Sequence, residues 1–443
     1  MPAVTLDYEP PNRSNNNICV DGVNGVNGVR QRNRARPSRN PKTSGEPDSD
    51  HSDAETPTGH MPSDQQRPRQ RTANGTTNGT TNGTTNGTTN GTTPTATTQE
   101  AHKGIRFAPL RVPLRRRKQT LAVLIHCSCL MMAIPLFFFC CAVPLAWPLI
   151  VPYFLMIVVS SASTNGRLRW RSERFRSLPI WTWFADYFPA QLHKTADLPA
   201  DRKYIFGYHP HGIISHGAWV AFGTNALGFR DKYPGITNAL LTLDSNFNIP
   251  FYREYLLMAG MCSVARESII NLLSRGGPDG HGQGRAVTIV IGGARESLQA
   301  NPGTLRLVLH GRAGFIKVAM ATGADLVPVL GFGEVDLYTQ LQGDDHPLLH
   351  RFQMHVLKVW KFTLPFMRGR GIFNYDYGLM PYRHPLNIVV GRPIPVTKAA
   401  SDTLDPAEVD RLHGLYCDEL QRLWDTYKDE YAKDRVEEMQ ILP

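Results

Sequence analysis

The clearest structural signal in this chain is an apolar run that ends in two histidines: Tyr204-Ile205-Phe206-Gly207-Tyr208-His209-Pro210-His211-Gly212. The first five residues are typical of a buried strand, because they form a short and continuous apolar run. Pro210 then fixes one φ angle and removes a backbone N–H, and Gly212 allows the chain to turn sharply. We predict a helix next, over Ala218–Leu227. The pattern therefore predicts a histidine at a strand-to-helix turn, at the mouth of an α/β sheet.

A second apolar run places a carboxylate in a comparable position. The predicted strand Ala286–Ile291 is followed by Gly292-Gly293-Ala294-Arg295-Glu296. In open α/β sheets, functional groups gather outside the carboxyl ends of the strands. We therefore expect the loops that carry His211 and Glu296 to face one pocket.

The remainder of residues 172–443 alternates short apolar runs with helical patterns. Further strands are predicted at Ala239–Leu243, Asp325–Leu330 and Leu386–Val390. Further helices are predicted at Glu254–Met258, Ile269–Leu273, Gly314–Thr322 and Pro406–Ala432, the last capped by Asp405. This alternation predicts an α/β domain with a mainly parallel sheet covered by helices.

Residues 105–171 have the composition of a membrane segment. Between Lys118 and Arg167 there is no Asp, Glu, Lys or Arg. One crossing needs about 20 apolar residues, so the segment is long enough for two passes or for a re-entrant hairpin. A buried helix pair in a soluble protein is the less favoured alternative.

Prolines and flanking charges predict the shape and orientation of this segment. Pro135, Pro144, Pro148 and Pro152 are expected to interrupt one long helix, with a bend between Pro144 and Pro148. Both flanks are basic: Arg111, Arg115, Arg116, Arg117 and Lys118 precede the segment, and Arg167, Arg169, Arg171, Arg174 and Arg176 follow it. The positive-inside rule then predicts that both ends of the hairpin face the cytosol.

Residues 1–104 are predicted to be a disordered low-complexity tail. They lack hydrophobic periodicity and are rich in Asn, Gly, Thr, Pro, Ser and Arg. Five Asn-Gly-Thr-Thr units start at Asn74, Asn78, Asn82, Asn86 and Asn90. Each unit matches an N-glycosylation acceptor, but a cytosolic tail would not meet the glycosylation machinery. We interpret the repeat as a polar spacer.

Charge and cysteine usage narrow the class of protein. The 443 residues carry a formal net charge of +10 and a pI of about 9.3, which favours an anionic partner. No nucleic-acid partner is predicted, because the basic residues cluster around the apolar segment rather than among aromatic residues of a groove. The seven cysteines show no disulfide-framework spacing, and no apolar leader follows Met1. These features indicate a reducing, cytosol-facing protein without a cleaved signal peptide.

The histidine turn predicts general-base chemistry. An imidazole with a near-neutral pKa can take a proton from an alcohol as its oxygen attacks a carbonyl, and we assign this role to His211. His209 is placed to support the loop or the substrate. Glu296 is interpreted as the partner that orients and charge-stabilises the imidazole, with capping of the next helix as the open alternative. No metal is predicted, although His216 is also near, because no Cys or acidic ligand stands at metal spacing.

Two cations near a predicted helix start favour a phosphate-bearing substrate. Arg312 and Lys317 flank the start of the helix Gly314–Thr322, where the helix N-terminus also attracts anions. A Walker loop, a G-x-S-x-G elbow and a G-x-G-x-x-G fingerprint are all absent from the sequence.

Taken in order, these motifs resemble those of the diacylglycerol acyltransferase type 2 family. The matches lie within residues 182–432: Tyr187-Phe188-Pro189, His209-Pro210-His211-Gly212, Asn248-Ile249-Pro250, Gly292-Gly293-Ala294-Arg295-Glu296 and Arg312-x-Gly314-Phe315-x-Lys317. His211 matches the essential histidine of that family, and Glu296 falls on its Gly-Gly-x-x-Glu carboxylate. The family is also similar to glycerolipid acyltransferases with a His-x-x-x-x-Asp pair, but here His216 occupies the Asp position. That departure favours Glu296 as the partner of His211.

The resemblance implies an enzyme of the endoplasmic reticulum and the lipid droplet. Its reaction would move a fatty acyl group from acyl-coenzyme A, a co-substrate rather than a cofactor, to the free hydroxyl of diacylglycerol in the bilayer, which gives triacylglycerol. Arg312, Lys317, Gly212, Tyr187, Phe188 and Pro189 are expected to contact substrate. Monoacylglycerol and fatty-alcohol (wax) acceptors stay open, as does a homo-oligomer. The alternative from a different class is a non-enzymatic lipid-droplet hairpin protein.

Overall fold

A computed structural model describes residues 106–109, 111–340, 367–401 and 404–442, together with the single positions 348, 351 and 355. The predicted tail, residues 1–104, lies outside the described residues.

The secondary structure of the described residues mixes helices and strands. The α-helices are α1 (Leu114–Ala142), α2 (Trp147–Val159), α3 (Glu173–Arg176), α4 (Pro179–Tyr187), α5 (His216–Ala218), α6 (Phe229–Lys232), α7 (Tyr252–Met258), α8 (Arg266–Ser274), α9 (Gly293–Ser297), α10 (Gly314–Thr322) and α11 (Pro406–Tyr431). The strands are β1 (Gln191–Lys194), β2 (Tyr204–His209), β3 (Thr237–Thr242), β4 (Cys262–Ser263), β5 (Arg285–Val290), β6 (Arg306–Val308), β7 (Asp325–Phe332), β8 (Thr339–Gln340), β9 (Met367–Arg368), β10 (Asn387–Val390) and β11 (Gln440–Leu442). Short 3₁₀ helices cover Pro144–Ala146, Asp244–Asn248 and Val335–Leu337, and a π-helical turn covers Trp219–Gly223.

The largest sheet has seven strands in the order β1-β10-β7-β2-β5-β3-β4. Strands β7, β2, β5, β3 and β4 are parallel to one another, whereas β10 pairs with β7 in the antiparallel sense and β1 runs parallel to β10. Two smaller sheets join β11 to β6 and β8 to β9. The prediction of a mainly parallel sheet is confirmed.

Strand β2 lies at the centre of this sheet and is buried along its whole length. Successive side chains point to opposite faces of a strand. Phe206 and Tyr208 accordingly pack in the core cluster that includes α4 and the π-helical turn, while Ile205 packs in a second cluster with α10 and α11. Burial on both faces explains why the sequence of β2 is a continuous apolar run.

Most predicted elements agree with the structure, but the helix predicted over Ala218–Leu227 does not. The helical turns end at Gly223, and Thr224 is extended. The guanidinium of Arg176 accounts for this, because it donates to the carbonyl oxygens of Phe222 and Gly223 at 3.1 and 2.9 Å. Those acceptors are thereby occupied by a distant side chain. In contrast, Asp405 caps α11 as predicted, through a hydrogen bond from the N–H of Ala407 at 3.0 Å.

The apolar segment folds into two helices joined by a bend at Pro144–Ala146, as expected. Pro135 and Pro152 nevertheless lie inside α1 and α2, so the prediction that they interrupt a helix was wrong. A proline removes one backbone hydrogen bond of a helix, but a helix with strongly apolar flanking turns can continue past it. Among the described residues, α1 is the one helix long and apolar enough to cross a membrane. Helix α2 has 13 residues, or about 20 Å, so it is shorter than a hydrocarbon core of about 30 Å.

The N-terminal part of α1 packs against the globular domain, whereas its C-terminal part and α2 present apolar side chains outward. Gln119, Ala122 and Val123 are buried. In contrast, Phe139 in α1 is 68 % exposed and Leu149 in α2 is 77 % exposed. An apolar surface of this kind indicates contact with lipid or with another protein.

The packing of β2 against α11 predicts opposite effects of two Gly→Ala substitutions. A Cβ at Gly207 would overlap the Tyr416 hydroxyl and lie 2.5 Å from Cδ1 of Ile291, so Gly207→Ala should cost about 1–3 kcal/mol of stability. Gly414 lies in α11, where a Cβ meets nothing within 4 Å, so Gly414→Ala should stabilise the protein by about 1 kcal/mol. Thermal unfolding of the two variants in detergent measures both shifts. Equal shifts, or a stabilising Gly207→Ala, would contradict this packing.

Candidate active site

The histidine turn begins where β2 ends. His209 is the last residue of β2 and is buried, whereas His211 is only half-buried. Gly212 has a φ of +56°, and a Cβ there would lie 2.6 Å from Cγ of Glu334. Both the left-handed backbone and this close approach require glycine. The turn therefore leaves the side chain of His211 partly accessible while its backbone is tightly enclosed.

The ring of His211 is held in one tautomer. Its Nδ1 lies 3.0 Å from the carbonyl oxygen of Gly212. A carbonyl oxygen only accepts hydrogen bonds, so Nδ1 carries the proton and Nε2 is the basic nitrogen. Burial lowers the pKa of His211 below its ordinary 6.5, an effect that the Gly212 carbonyl partly opposes. The imidazole is therefore neutral at neutral pH, as a general base must be.

The structure brings Glu296 and His211 together, as predicted. Glu296 lies in α9 and is buried, and its Oε1 accepts the backbone N–H of His211 at 2.5 Å. Its Oε2 accepts the N–H of Val308, in β6, at 2.8 Å. The carboxylate thus contacts the backbone rather than the ring of residue 211. It joins two strand ends instead of capping its own helix, for which no side-chain cap bond is formed.

Burial of Glu296 has an electrostatic consequence. Desolvation raises the pKa of its carboxyl group to about 7, although the N–H groups of Val308 and His211 and the charge of Arg312 oppose this shift. A Cβ at Gly292 would overlap the carboxyl group, so glycine is needed there as well. Gly292, the residue before α9, therefore makes room for a buried acid.

One of the two predicted cations, Arg312, lies beside the segment that carries Glu296. Arg312 is half-buried and donates to the carbonyl oxygen of Gly292 at 3.3 Å. Burial lowers the pKa of Arg312, and the nearby charge of Arg295 adds to this effect. Lys317 is exposed in the first turn of α10. Arg312 just before α10 and Lys317 in its first turn add positive charge around the N-terminus of that helix, which suits an anionic substrate.

His209 supports the turn from the α11 side. Its Nε2 lies 3.0 Å from the hydroxyl of Tyr416, which itself donates to the carbonyl oxygen of Gly207 at 3.1 Å. His209 must therefore donate to the Tyr416 oxygen. Burial lowers the pKa of His209 to about 3, so the ring is neutral. These contacts give His209 a structural part in holding β2 against α11.

The predicted substrate contacts at the end of α4 lie within packing. Tyr187 is buried, donates to the carbonyl oxygen of Pro381 at 2.6 Å and has the guanidinium of Arg383 4.0 Å above its ring. Phe188 stacks on the ring of His216, with centroids 5.4 Å apart. Pro189 is exposed. These contacts support the region around His216, and substrate contact by the three residues stays a prediction.

A second buried carboxylate, Glu334, was not predicted from the sequence. Its Oε1 accepts the N–H of His216 at 2.7 Å, and its Oε2 accepts the N–H of Gly217 at 2.7 Å and the hydroxyl of Tyr208 at 2.9 Å. Burial raises the pKa of Glu334 to about 7. The available signal was an acidic residue just after the fully buried strand β7. Strands β7 and β5 are both parallel to β2, so both end at this edge of the sheet.

His216 is buried between aromatic rings, and its Nε2 lies 3.2 Å from the hydroxyl of Tyr338. Desolvation lowers its pKa well below 6.5. In the part of the chain that the structure describes, no group of three His, Cys, Asp or Glu residues could hold a metal ion. The prediction that no metal takes part stays a prediction.

Comparison with known sequences places this site in a family. A family described as "Diacylglycerol acyltransferase" has a sequence model that matches residues 137–441, which is more than half of the chain. The chain belongs to the diacylglycerol acyltransferase family. The match begins within α1 and includes both carboxylates, the histidine turn, Arg312 and Lys317.

Individual relatives in this family are similar over nearly their whole length. Diacylglycerol O-acyltransferase 2A of Umbelopsis ramanniana is 50 % identical over 349 residues, which cover 78 % of this chain and 96 % of the relative. Diacylglycerol O-acyltransferase 2 of Dictyostelium discoideum is 39 % identical over 339 residues, covering 76 % and 99 %. The 2-acylglycerol O-acyltransferase 1 of Bos taurus is 40 % identical over 337 residues, covering 74 % and 96 %.

A solved structure is also similar at a low level. The 1-acyl-sn-glycerophosphate acyltransferase of Thermotoga maritima matches with a TM-score of 0.34 and 12 % identity, and covers 70 % of this chain and 98 % of that one. A likeness of this size carries no argument about fold or activity.

The environment of His211 predicts how acyl transfer by this family member depends on pH. An imidazolium cannot accept a proton, so kcat/KM should fall as pH decreases through the pKa of His211. Because burial lowers that pKa, the midpoint of the acid limb should lie below pH 6.5. A kcat/KM profile measured with saturating co-substrate tests this. His281→Gln, in an exposed loop, serves as the control and should leave the limb unchanged. The carboxyl group of Glu296 also titrates, with a pKa raised to about 7, so the same profile is measured for Glu296→Gln. A midpoint at or above 6.5 in that variant would contradict the assignment.

Proposed function

We propose that this enzyme transfers a fatty acyl group from acyl-coenzyme A to the free hydroxyl of diacylglycerol and so forms triacylglycerol. Family membership supports the reaction, since relatives named as diacylglycerol O-acyltransferases align with most of the chain. The observation that carries the proposal is the neutral, half-buried imidazole of His211 on a turn held by Glu296.

The proposed mechanism is direct transfer. Nε2 of His211 accepts the proton of the acceptor hydroxyl while the hydroxyl oxygen attacks the thioester carbonyl carbon. The new C–O ester bond forms, the C–S bond breaks, and the imidazolium returns its proton to the departing thiolate. His211 is therefore neutral before and after the reaction, and no acyl-enzyme forms.

Glu296 contributes by position and by charge. Its bond to the backbone N–H of His211 fixes the turn, and the negative charge of its ionised form stabilises the imidazolium. The N–H groups of His211, His216 and Gly217 already donate to carboxylates. They are therefore not available to a transition-state oxyanion, which must find donors elsewhere on the turn.

The charges around the site and the solubility of the substrates indicate from which direction each substrate approaches. Arg312 and Lys317, near the N-terminus of α10, suit the phosphates of coenzyme A. Diacylglycerol is dissolved in lipid, so it must approach from the bilayer surface. The reaction needs no cofactor beyond the acyl-coenzyme A co-substrate.

Monoacylglycerol is a second candidate acceptor. The specific observation in its favour is the similarity to the 2-acylglycerol O-acyltransferase of Bos taurus. Diacylglycerol is preferred, because the more similar relative from Umbelopsis ramanniana carries the diacylglycerol name. A purely structural lipid-droplet hairpin protein would need neither the buried carboxylates nor the neutral histidine.

We place the enzyme at the endoplasmic reticulum membrane, with both ends in the cytosol, and at the surface of lipid droplets. The exposed apolar faces of α1 and α2 and the basic residues beside them support this location. Helix α2 is too short to cross a bilayer, which favours a hairpin that enters and leaves through one leaflet. Such a hairpin is compatible with the phospholipid monolayer of a droplet.

Replacement of His211 tests the proposed function. Microsomes that carry His211→Ala should lose about 10²-fold or more of their triacylglycerol synthesis from labelled oleoyl-coenzyme A and diacylglycerol. His281→Ala should match the wild type. The same assay with monoacylglycerol and with a fatty alcohol ranks the acceptors. Full activity in His211→Ala, with unchanged protein level, would reject the catalytic assignment.

A further inference from the structure

A loop outside the active site exposes an unusual set of apolar side chains. We call residues 371–379 the aromatic loop. Within it Phe373 is 77 % exposed, and Phe107 beside it is 72 % exposed. The other exposed members are Ile372, Tyr375, Tyr377 and Leu379. Apolar groups clustered in this way indicate an interaction surface.

The aromatic loop is fastened to the segment that leads into α1. The guanidinium of Arg106 donates to the Asp376 carboxylate at 2.6 and 2.9 Å, and its backbone N–H donates to the same group at 2.7 Å. Ala108 donates to the carbonyl oxygen of Phe373 at 2.8 Å, and Tyr375 donates to that of Arg106 at 2.9 Å. Helix α1 begins at Leu114, so the chain between them spans at most about 21 Å.

Side chains at the start of α1 indicate where along this helix the membrane–water interface lies. The basic run that ends at Lys118 is followed by exposed apolar residues, first Leu121 at 50 %. The ammonium of Lys118 lies 5.0 Å from the ring centroid of Trp183. Basic and tryptophan side chains concentrate where hydrocarbon meets water. The aromatic loop therefore lies close to the level at which α1 enters lipid.

The charges of the loop match a phospholipid headgroup layer. Arg368 lies over the ring of Tyr377 at 5.2 Å, and Arg370 over that of Tyr375 at 5.1 Å. The one acidic side chain of the loop, Asp376, is paired with Arg106, whose bonds lower its pKa. The loop thus offers aromatic rings and cations without an uncompensated negative charge, a combination suited to lipid phosphates.

We propose that the aromatic loop and Phe107 form a second membrane contact that lies in the phospholipid headgroup layer beside α1. This inference rests on the proposed membrane anchoring by α1 and α2. A single hairpin anchor leaves the tilt of the whole molecule relative to the bilayer free, whereas two contacts fix that tilt. The second contact therefore keeps the His211 turn directed at the bilayer surface, where the lipid acceptor is found.

Photo-crosslinking to lipid tests this contact. A benzophenone amino acid replaces one residue at a time in the full-length protein, reconstituted in phosphatidylcholine vesicles with a minor share of phosphatidylserine. The positions are Phe373 in the loop, Phe139 in the hairpin and Val436 as the matched control. Val436 is 79 % exposed, close to the 77 % of Phe373, but its backbone N–H donates to Gly303, and among the residues that the structure describes it does not hydrogen-bond to the segment before α1 as the aromatic loop does. Lipid adducts, detected by mass spectrometry, are expected at 373 and 139 and not at 436.

Each other outcome rejects either the second membrane contact or the hairpin anchor. Adducts at 139 alone reject the second contact and leave the hairpin anchor intact. Adducts at none of the positions reject the anchor as well. Adducts at 436 equal to those at 373 would mean that exposure alone governs crosslinking, which also rejects the proposal.

A kinetic measurement adds a functional readout. Phe373→Ser combined with Tyr377→Ser should raise the KM for diacylglycerol in vesicles severalfold and leave the KM for acyl-coenzyme A unchanged, since only the lipid-borne substrate depends on the tilt of the domain. Val436→Ser should change neither constant. An unchanged KM for vesicle diacylglycerol in the double variant would contradict the proposed role of the loop.

Discussion

Two buried carboxylates hold the histidine turn, and the presentation of His211 depends on them. Glu296 binds the turn at its start, through the N–H of His211, and Glu334 binds it at its end, through the N–H groups of His216 and Gly217. A buried carboxyl group is costly unless it is hydrogen-bonded, and burial raises the pKa of both groups to about 7. The backbone donors offset that cost, so the turn and the two acids stabilise one another.

This arrangement explains how a half-exposed histidine can be well positioned. Strand β2 supplies a rigid base. It is hydrogen-bonded between β5 and β7 in the sheet, and both of its faces are buried. The carboxylates come from the segments that follow those two neighbouring strands. The central sheet therefore provides both the histidine and its supports from one edge, next to the cations at the start of α10.

Much of this could be predicted from the sequence, because the signals are local. Continuous apolar runs located the central strands, and the strand-end rule placed Glu296 near His211. The features that were missed depend on distant residues. Arg176 ends the helical turn after α5 by donating to the carbonyl groups of residues 222 and 223, and the sequence around those residues does not predict this contact. Glu334 follows a parallel strand as Glu296 does, but its bonds to residues 216 and 217, more than a hundred positions away, leave no local pattern around it. The prediction for Pro135 and Pro152 was wrong for a local reason, because α1 and α2 continue past these prolines in strongly apolar sequence.

Amide hydrogen exchange in the histidine turn tests the central claim most directly. In the wild-type protein the N–H groups of residues 211, 216, 217 and 308 should exchange as slowly as those of β2. A glutamine side chain has only one acceptor oxygen, so Glu334→Gln should accelerate exchange at 216 or 217 and spare 308, whereas Glu296→Gln should accelerate 211 or 308 and spare 216 and 217. Fast exchange at these positions in the wild type, or no change in either variant, would contradict the account.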